Sequence, residues 1–379
     1  MTLRSSLLSP AGVNRVSAWR RLALAAAFGA TVAMAQTAAP QAVIQLTLNE
    51  NPYGPSPRAL QAIEAMLPQL GRYTTPEAAA KLTAELAKRE GVPAEQIVLG
   101  DLLAPLGFHL GVRGGKGAEF VYSIPGYPAL VNAAQPVGGV VVGVPLDDKL
   151  ENDLPALLRA ITPKTQALFL INPHNPTGTV SDTEAFHRFL TEASRRTLVI
   201  VDEAYLDYMS DFAARTAVSH TRAGENVLVY RTFDKFHAMA GASLGYSIVP
   251  RELGEFLRAR GLGSPRDLSP LAVAGATASV QDDVYAARLR TALDHELRLW
   301  NAFLDEHKIE HTLSAGNFVF FKAGKPQREV AAALAREGIA IGRDFPPLGD
   351  WTRITIGLPE ENRAARAALS RFLSRSGTK

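Results

Sequence analysis

The feature that most constrains the fold of this chain is an alternation of short apolar runs with longer amphipathic stretches. Val140–Val144, Ala167–Ile171 and Leu198–Val201 have the length and apolar content of buried strands. Glu151–Ile161 and Ser181–Arg196, which lie between them, have helical spacing, and the second opens with a capping-box pattern. Strands that alternate with helices in this way predict an α/β protein with a mainly parallel sheet covered by helices.

The last hundred residues follow a different pattern. A helical stretch from about Gln281 to His307 precedes two strand-like segments, Asn317–Phe321 and Arg353–Ile356, with helical segments between and after them. This is an α+β pattern, so we predict a smaller C-terminal domain at 281–379 and a large domain, with its N-terminal segment, at 46–280. A chain of 379 residues has room for both.

The N-terminus has the three-part layout of an export signal. A basic stretch ends in Arg20 and Arg21, an apolar run continues to Ala35, and the small residues Ala33 and Ala35 flank a cleavage site before Gln36. The run is too short to cross a bilayer of about 30 Å comfortably. We therefore predict a signal peptide at 1–35, a linker at 36–45, periplasmic localisation and no stable membrane insertion after cleavage. The paired arginines favour the twin-arginine route; without a working signal the protein would be cytoplasmic.

Charge and composition exclude several classes of function. The net charge of +3 comes from the leader, because residues 36–379 carry 36 basic and 37 acidic residues. The folded body therefore has no basic excess for nucleic acid, and we predict no such partner. The absence of cysteine excludes disulfides, thiolate metal sites and cysteine nucleophiles.

Polar residues follow three of the predicted strands at the points where they end. Asn175 lies in the turn after Ala167–Ile171, Asp202 and Tyr205 follow the next strand, and Lys235 follows the one after that. Ligands of open α/β sheets bind at the carboxyl ends of the strands, so one cleft is expected to hold all four residues. A lysine for a Schiff base, a carboxylate for a ring nitrogen and donors for a phenolic oxygen together suit pyridoxal 5′-phosphate (PLP).

Several motifs in order resemble the fold-type I PLP-dependent aminotransferases of class I/II, in particular the histidinol-phosphate aminotransferase-like branch. The resemblance spans about residues 46–375 and rests on Leu48–Pro57, Pro125–Tyr127, Asn172–Gly178, Val201–Tyr205, Thr232–Lys235 and Arg353–Gly357. It implies a large domain built on a mainly parallel, seven-stranded type of sheet and a smaller α+β domain. It also implies a transaminase that moves an amino group between an amino acid, or a similar amine, and a 2-oxo acid.

The resemblance also implies residue roles. Lys235 would form the Schiff base and shuttle protons, Asp202 would pair with the ring nitrogen, and Tyr205 and Asn175 would bond the phenolic oxygen. The remaining expected contacts are ring stacking by Tyr127, phosphate binding by Thr232, the substrate carboxylate at Arg353 with Asn317 beside it, and the neighbouring subunit's cofactor phosphate at Tyr53. The last of these implies a homodimer. No metal is expected.

Two departures from the family concern the cofactor phosphate. The stretch Leu99–Leu103 has Asp101 where a hydroxyl-bearing turn is usual, and Ser243 stands where an arginine is usual. Asp234 also replaces a small hydroxyl residue before the lysine. We therefore expect weaker retention of PLP, unless another cation such as Arg231 or a residue of a neighbouring subunit compensates.

Other readings of the sequence stay open. The same scaffold would serve a PLP-dependent decarboxylase or lyase, or a binding or regulatory module without catalysis. Gly241–Gly245 matches the nucleophile elbow of serine hydrolases, with Ser243 as nucleophile, but a strand is expected after it and none before it. His307–His311 matches a zinc-protease pattern, but it spans the expected end of a helix.

Overall fold

The computed structural model describes residues 43–375. The predicted signal peptide at 1–35 and most of the predicted linker lie outside this range. Over the described residues the chain forms twelve strands, namely β1 (Ile44–Leu46), β2 (Ile97–Leu99), β3 (Glu119–Ile124), β4 (Val140–Pro145), β5 (Thr165–Ile171), β6 (Leu198–Asp202), β7 (Val227–Thr232), β8 (Gly245–Ile248), β9 (Glu310–His311), β10 (Phe318–Lys322), β11 (Ile339–Ile341) and β12 (Trp351–Thr355).

The same residues form thirteen α-helices, none of them long and apolar enough to cross a membrane. They are α1 (Pro57–Met66), α2 (Pro76–Glu90), α3 (Leu103–Gly114), α4 (Ala129–Ala134), α5 (Leu154–Arg159), α6 (Thr183–Ser194), α7 (Phe212–Arg215), α8 (Val218–Arg222), α9 (Arg251–Arg258), α10 (Pro270–Val280), α11 (Asp283–Glu306), α12 (Gln327–Ala335) and α13 (Pro359–Arg375).

Seven strands form the central sheet, in the order β2-β8-β7-β6-β5-β3-β4. The pairs from β7 to β4 are parallel, and β8 runs antiparallel to both β7 and β2. The prediction of a mainly parallel, seven-stranded α/β sheet is confirmed. Because β5, β6 and β7 are adjacent and parallel, the turns that follow them meet at one edge of the sheet.

The central strands are apolar throughout because helices cover both faces of the sheet. In β6, Val199 and Val201 pack into one hydrophobic cluster, while Leu198 and Ile200 pack into the cluster on the opposite face. Strand side chains point alternately to the two faces, so a strand covered on both sides needs apolar residues at every position. The continuous apolar runs of the sequence have this origin.

Helix α6 shows how local sequence sets an element boundary. Its N-cap is Asp182, whose carboxylate accepts a hydrogen bond from the backbone N–H of Ala185 at 2.9 Å. The predicted capping box placed this cap at Ser181, one residue too early. Ser181 instead donates its backbone N–H to the Asn172 side chain at 3.1 Å, which ties the helix start to the turn after β5.

The C-terminal part is an α+β arrangement, as predicted. Strand β10 lies between β9 and β12 in an antiparallel three-stranded sheet, and α11–α13 surround a core that includes the fully buried Trp300. Strand β1 pairs in parallel with β11, where Ile44 lies opposite Ile339. The chain is thus in regular structure from Ile44, within the predicted linker. The predicted domain division at 280–281 falls between α10 and α11 and stays a prediction.

Candidate active site

A cavity of about 320 Å³ lies at the carboxyl edge of β5, β6 and β7. It is reached by turns that follow all three strands and by β12 of the C-terminal part. The lining residues that the sequence predicted are Tyr127, Asn175, Asp202, Tyr205, Thr232, Lys235 and Arg353. Tyr127 comes from the turn after β3, so four parallel strands of the central sheet and one strand from a separate sheet deliver these side chains to a single cavity.

Lys235 lies three residues beyond the end of β7. Its Nζ donates a hydrogen bond to the backbone carbonyl of Leu48 at 3.0 Å. Burial lowers the pKa of Lys235 below its usual value, although the carboxylate of Asp234 acts in the opposite direction. A lowered pKa increases the neutral fraction of the amine, which is the form that attacks a carbonyl carbon.

Asp202 is the last residue of β6 and is 4% exposed. Burial raises the pKa of its carboxyl to about 7, and the backbone N–H of Ala204, which donates to Oδ1 at 3.0 Å, partly offsets this rise. The charges of Asp101 and Glu203 raise the pKa further, while Lys235 lowers it. A carboxyl in this range can share a proton with a basic ring nitrogen at neutral pH.

Tyr205 is positioned by Asn49, a residue to which the sequence assigned no role. The Asn49 side chain donates to the Tyr205 hydroxyl at 3.0 Å, and burial raises the pKa of that hydroxyl to about 12. Asn49 is 1% exposed and has a φ of 54°. Asparagine is one of the few residues besides glycine that adopts this left-handed conformation readily. The sequence signal for Asn49 was its position within the motif Leu48–Pro57, but that motif does not show the backbone angle or the contact with Tyr205.

Arg353 projects from β12 and is 6% exposed. Its Nη1 donates to Asn175 Oδ1 at 2.6 Å and its Nη2 to the Thr47 carbonyl at 2.8 Å, while Nε is buried without a hydrogen-bond partner. Burial lowers the pKa of Arg353 to about 10. Both partners are neutral, so the guanidinium retains an uncompensated positive charge that suits an anionic ligand.

A second arginine that the sequence analysis missed also lines the cavity. Arg343 lies against the ring of Phe345, 4.5 Å from the ring centre, and its charge contributes to lowering the pKa of Arg353. No motif identified it, because it lies in an irregular segment between β11 and β12. Two guanidinium groups therefore face the same end of the cavity.

The remaining predicted residues occupy different places. Tyr127 lines the cavity with 46% of its surface exposed, and Thr232 Oγ1 accepts the backbone N–H of Asp234 at 3.0 Å. Asn317 does not line the cavity; its Nδ2 donates to the carbonyls of Asn49 and Glu50, both at 3.0 Å. Asn317 therefore holds the segment that positions Tyr205.

Tyr53 is half-buried, packs against the core of the C-terminal part and does not line this chain's cavity. Its expected contact concerned the cavity of a neighbouring subunit. The contact of Tyr53 with a neighbouring subunit therefore stays a prediction.

Arg231 does not compensate for the missing phosphate ligands. It is 1% exposed and forms ion pairs with Glu90 at 2.7 Å and Glu203 at 2.9 Å. In β7, Tyr230 and Thr232 line the cavity, so the side chain between them points to the opposite face of the sheet. The suggestion that Arg231 substitutes for the absent arginine is therefore wrong.

The nucleophile-elbow match and the zinc-protease match both lack the structural context that these motifs require. Gly241–Gly245 begins within a short 3₁₀ turn at Ala240–Ala242 and ends at the first residue of β8, so Ser243 lies between a turn and a strand and is not on a strand–turn–helix elbow. His307 ends α11, whereas Glu310–His311 forms β9. Within residues 43–375 no group of three or more acidic, histidine or cysteine side chains has the placement for a metal ion.

Comparisons with known proteins agree with this architecture. Residues 41–369 match the family described as aminotransferase class I and II. A histidinol-phosphate aminotransferase of Cupriavidus pinatubonensis is 34% identical over 346 residues, covering 87% of this chain and 88% of the relative. An aromatic amino acid aminotransferase of Thermobifida fusca is 35% identical over 329 residues, covering 84% and 88%.

A solved structure of histidinol-phosphate aminotransferase from Sinorhizobium meliloti, in complex with pyridoxal-5′-phosphate, aligns with a TM-score of 0.77. The two chains are 25% identical, and the alignment covers 89% of this chain and 93% of that one. This chain belongs to the class I and II aminotransferases. Within that class it is a transaminase of fold type I, similar to the histidinol-phosphate aminotransferases.

The cavity fits the ring of the family's cofactor better than it fits the phosphate. Lys235 supplies an amine for an aldehyde, Asp202 a carboxyl for a ring nitrogen, and Tyr205 and Asn175 polar groups for a phenolic oxygen. Elsewhere in the cavity, the Asp101 carboxylate accepts a hydrogen bond from the Tyr230 hydroxyl at 2.9 Å. This carboxylate is unfavourable for an anionic phosphate group.

Proposed function

We propose that this aminotransferase uses PLP held by Lys235, Asp202, Tyr205, Asn175 and Tyr127. The observation that carries the proposal is the convergence of these five side chains on one cavity from separate segments of the chain. No specific contact in the cavity favours a decarboxylase, a lyase or a non-catalytic module. A serine hydrolase has no support, because Ser243 lacks the required structural context.

PLP, when bound, supplies an electron sink that stabilises negative charge on the carbon bearing the amino group. Asp202 would keep a proton at the ring nitrogen, and Tyr205, oriented by Asn49, would bond the phenolic oxygen. The Lys235 amine would hold the cofactor aldehyde and move the proton at the substrate α-carbon. These residues therefore divide the work of binding, orientation and proton transfer.

We propose that Arg353 binds the substrate α-carboxylate and that Arg343 binds a second anionic group or the entering carboxylate. Paired arginines form charge-assisted hydrogen bonds with carboxylate and phosphate alike. The named relatives act on a phosphate ester, histidinol phosphate, or on aromatic amino acids. Amino acids, amino-acid-like amines and 2-oxo acids are thus the proposed substrate classes.

We further propose a homodimer. Four large apolar side chains within residues 60–73 are exposed, namely Leu60 at 45%, Leu67 at 48%, Leu70 at 59% and Tyr73 at 77%. A cluster of this kind is typical of a surface that a second copy covers. Sedimentation of the parent and of Leu67→Ser/Leu70→Ser tests this: we expect a dimer that the substitution weakens, and a monomeric parent would refute the proposal.

The proposal of export rests on the leader sequence alone. If it is correct, protein isolated from the native cell envelope has an N-terminus at or near Gln36. An intact Met1 in a purely cytoplasmic fraction would refute it. Replacement of Arg20 and Arg21 by lysines separates the twin-arginine route, which we expect to fail, from general secretion, which tolerates lysine.

An absorbance-monitored amino-acid panel tests the enzymatic proposal. PLP-loaded protein is mixed with single amino acids and with histidinol phosphate in the absence of any 2-oxo acid. A transaminase converts its cofactor into the amine form, lowers the absorbance near 420 nm and releases a 2-oxo acid from an amino acid, or the corresponding ketone from histidinol phosphate. Release of carbon dioxide instead would identify a decarboxylase.

A further inference from the structure

This inference rests on the proposed use of PLP and concerns the end of the cavity that would receive the phosphate. In PLP the phenolic oxygen and the phosphate arm lie on opposite sides of the line joining the ring nitrogen to the aldehyde carbon. With the nitrogen at Asp202, the aldehyde at Lys235 and the phenolic oxygen at Tyr205, the phosphate falls on the side away from Tyr205. The cavity is lined there by Asp101, Tyr230, Thr232 and Asp234, which we call the acidic end.

The first carboxylate of the acidic end is that of Asp101. It lies two residues before α3 and accepts a hydrogen bond from the Tyr230 hydroxyl at 2.9 Å. The helix N-cap is Leu102, which contributes no side-chain hydrogen bond. The Tyr230 hydroxyl, which lines the cavity, is therefore already bonded to a carboxylate of the chain itself.

Asp234 is the second carboxylate, and it engages donors that a phosphate would need. The Ser243 hydroxyl donates to Oδ2 at 2.8 Å, and the backbone N–H of Leu244 donates to Oδ1 at 3.3 Å. Its own backbone N–H donates to Thr232 Oγ1 at 3.0 Å. The charged groups that act on its carboxylate are Lys235 and Asp101.

Positive charge lies elsewhere in the cavity. Among the described residues that line it, the cationic side chains are Lys235, Arg343 and Arg353. Lys235 is bonded to the Leu48 carbonyl and is assigned to the cofactor aldehyde, and Arg353 is bonded to Asn175 and Thr47 on the far side. Of the charged side chains that this chain contributes, a phosphate at the acidic end would therefore meet two carboxylates and the Lys235 amine.

We propose that Asp101 and Asp234 couple the binding of the PLP phosphate to the uptake of a proton. Free PLP carries a phosphate with close to two negative charges at pH 8, because its second pKa is about 6. One proton taken from solvent would neutralise one of the three anions and donate a hydrogen bond between a carboxyl and the phosphate. 5′-Deoxypyridoxal has the same ring and aldehyde but no phosphate, and it has no 5′-hydroxyl that could close on the aldehyde. It would bind without this proton.

The charges around the acidic end favour this coupling. Burial raises the pKa of the Tyr127 and Tyr230 hydroxyls, and the charges of Asp101, Asp202 and Asp234 raise it further. Burial, together with the charge of Asp101, raises the pKa of Asp234 itself. The charge of Asp101 thus already acts unfavourably on the ionised forms of Asp202 and Asp234 before an anionic ligand enters.

The experiment is a titration of the cofactor-free protein with PLP and with 5′-deoxypyridoxal at pH 6.5 and pH 8.5, followed by absorbance. Binding that takes up one proton changes affinity by up to about tenfold per pH unit. We expect the ratio of the PLP to the 5′-deoxypyridoxal dissociation constant to rise at least about tenfold from pH 6.5 to 8.5. Because both ligands use Lys235, the ratio removes the pH dependence of the lysine.

The Asp101→Asn/Asp234→Asn variant keeps the shape of both side chains and removes their charge. It should bind PLP more tightly than the parent at pH 8.5 and reduce the pH-dependent change in the ratio below about threefold, since only the titration of the phosphate remains. An unchanged ratio in the parent, or a ratio that the variant does not alter, would overturn the proposal.

Calorimetry of the parent in two buffers of different ionisation enthalpy tests the same point without a substitution. We expect about one more proton taken up per PLP than per 5′-deoxypyridoxal at pH 8. Equal uptake for the two ligands would contradict the coupling. Failure of both ligands to form a borohydride-reducible linkage would instead refute the use of PLP, so the two failures are distinguishable.

Discussion

Arg353 Nη1 donates a hydrogen bond to Asn175 Oδ1 at 2.6 Å, which joins β12 of the C-terminal part to the turn after β5 of the central sheet. The bond turns the amide oxygen of Asn175 toward the arginine and leaves its Nδ2 group as the donor for a ligand. It also orients a guanidinium that has no carboxylate partner. One contact thus links the proposed cofactor site to the proposed substrate site.

Replacement of Arg353 by glutamine should impair substrate binding more than cofactor binding. Loss of a charge-assisted contact to a carboxylate costs about 1.5–3 kcal/mol, or roughly 10- to 100-fold in kcat/KM. The measurement is steady-state kinetics together with a PLP titration. Arg336→Gln, at the exposed end of α12, is the matched control and should leave both unchanged. Equal kcat/KM in Arg353→Gln and the parent would remove Arg353 from the substrate site.

The raised pKa of Asp202 predicts that the stability of the cofactor-free protein depends on pH. Its folded-state pKa of about 7 lies above the usual value of 3.8, so the folded state holds the proton more tightly than the unfolded state. The carboxyl therefore contributes stability below pH 4 that is lost progressively as the pH rises toward 7. A shift of this size corresponds to a change on the order of 2–4 kcal/mol in the free energy of unfolding.

Asp202→Asn removes that titration, which makes it the comparison to measure. Urea unfolding at pH 4 and pH 8 should show similar stability for parent and variant at low pH, and a more stable variant at high pH.

With PLP bound, the Asp202→Asn variant should lose several orders of magnitude in turnover while it still forms a reducible linkage. A variant with full turnover would exclude Asp202 from proton transfer at the ring nitrogen.

The buried ion pairs of Arg231 predict that replacing this residue lowers the free energy of unfolding, although Arg231 does not line the cavity. Its guanidinium compensates Glu90 and Glu203 inside the protein, and Arg231→Met would leave two buried carboxylates. Removal of one partner from a buried ion pair typically costs about 3–5 kcal/mol. The control is Arg188→Met, because Arg188 pairs with Glu184 on the surface and such pairs contribute about 0–1 kcal/mol. Similar unfolding free energies for the two variants would contradict the account.

Most of the fold followed from the sequence because the central strands are covered on both faces. Continuous apolar runs of that kind identify β5, β6 and β7, and parallel neighbours bring their ends together. The alternation of side chains along β7 also excludes Arg231 from the cavity, since Thr232 and Tyr230 occupy the cavity side. That argument was available from the sequence once the strand was recognised.

The missed parts of the site depend on irregular backbone. Asn49 reaches Tyr205 from a left-handed conformation that the sequence does not display, and Arg343 reaches the cavity from a segment without periodicity. Asn317 was predicted to lie beside the substrate carboxylate, but its side chain donates to backbone carbonyls and does not line the cavity. Such positions depend on tertiary contacts, which local patterns do not encode.

The central claim is that Lys235 is the residue that binds the cofactor. The most direct measurement is borohydride reduction of the PLP-loaded protein followed by peptide mapping by mass spectrometry. The account predicts one pyridoxyl group per chain, located on Lys235, and no stoichiometric label in Lys235→Arg. Label on a different lysine, or an unlabelled chain after saturation with PLP, would contradict it.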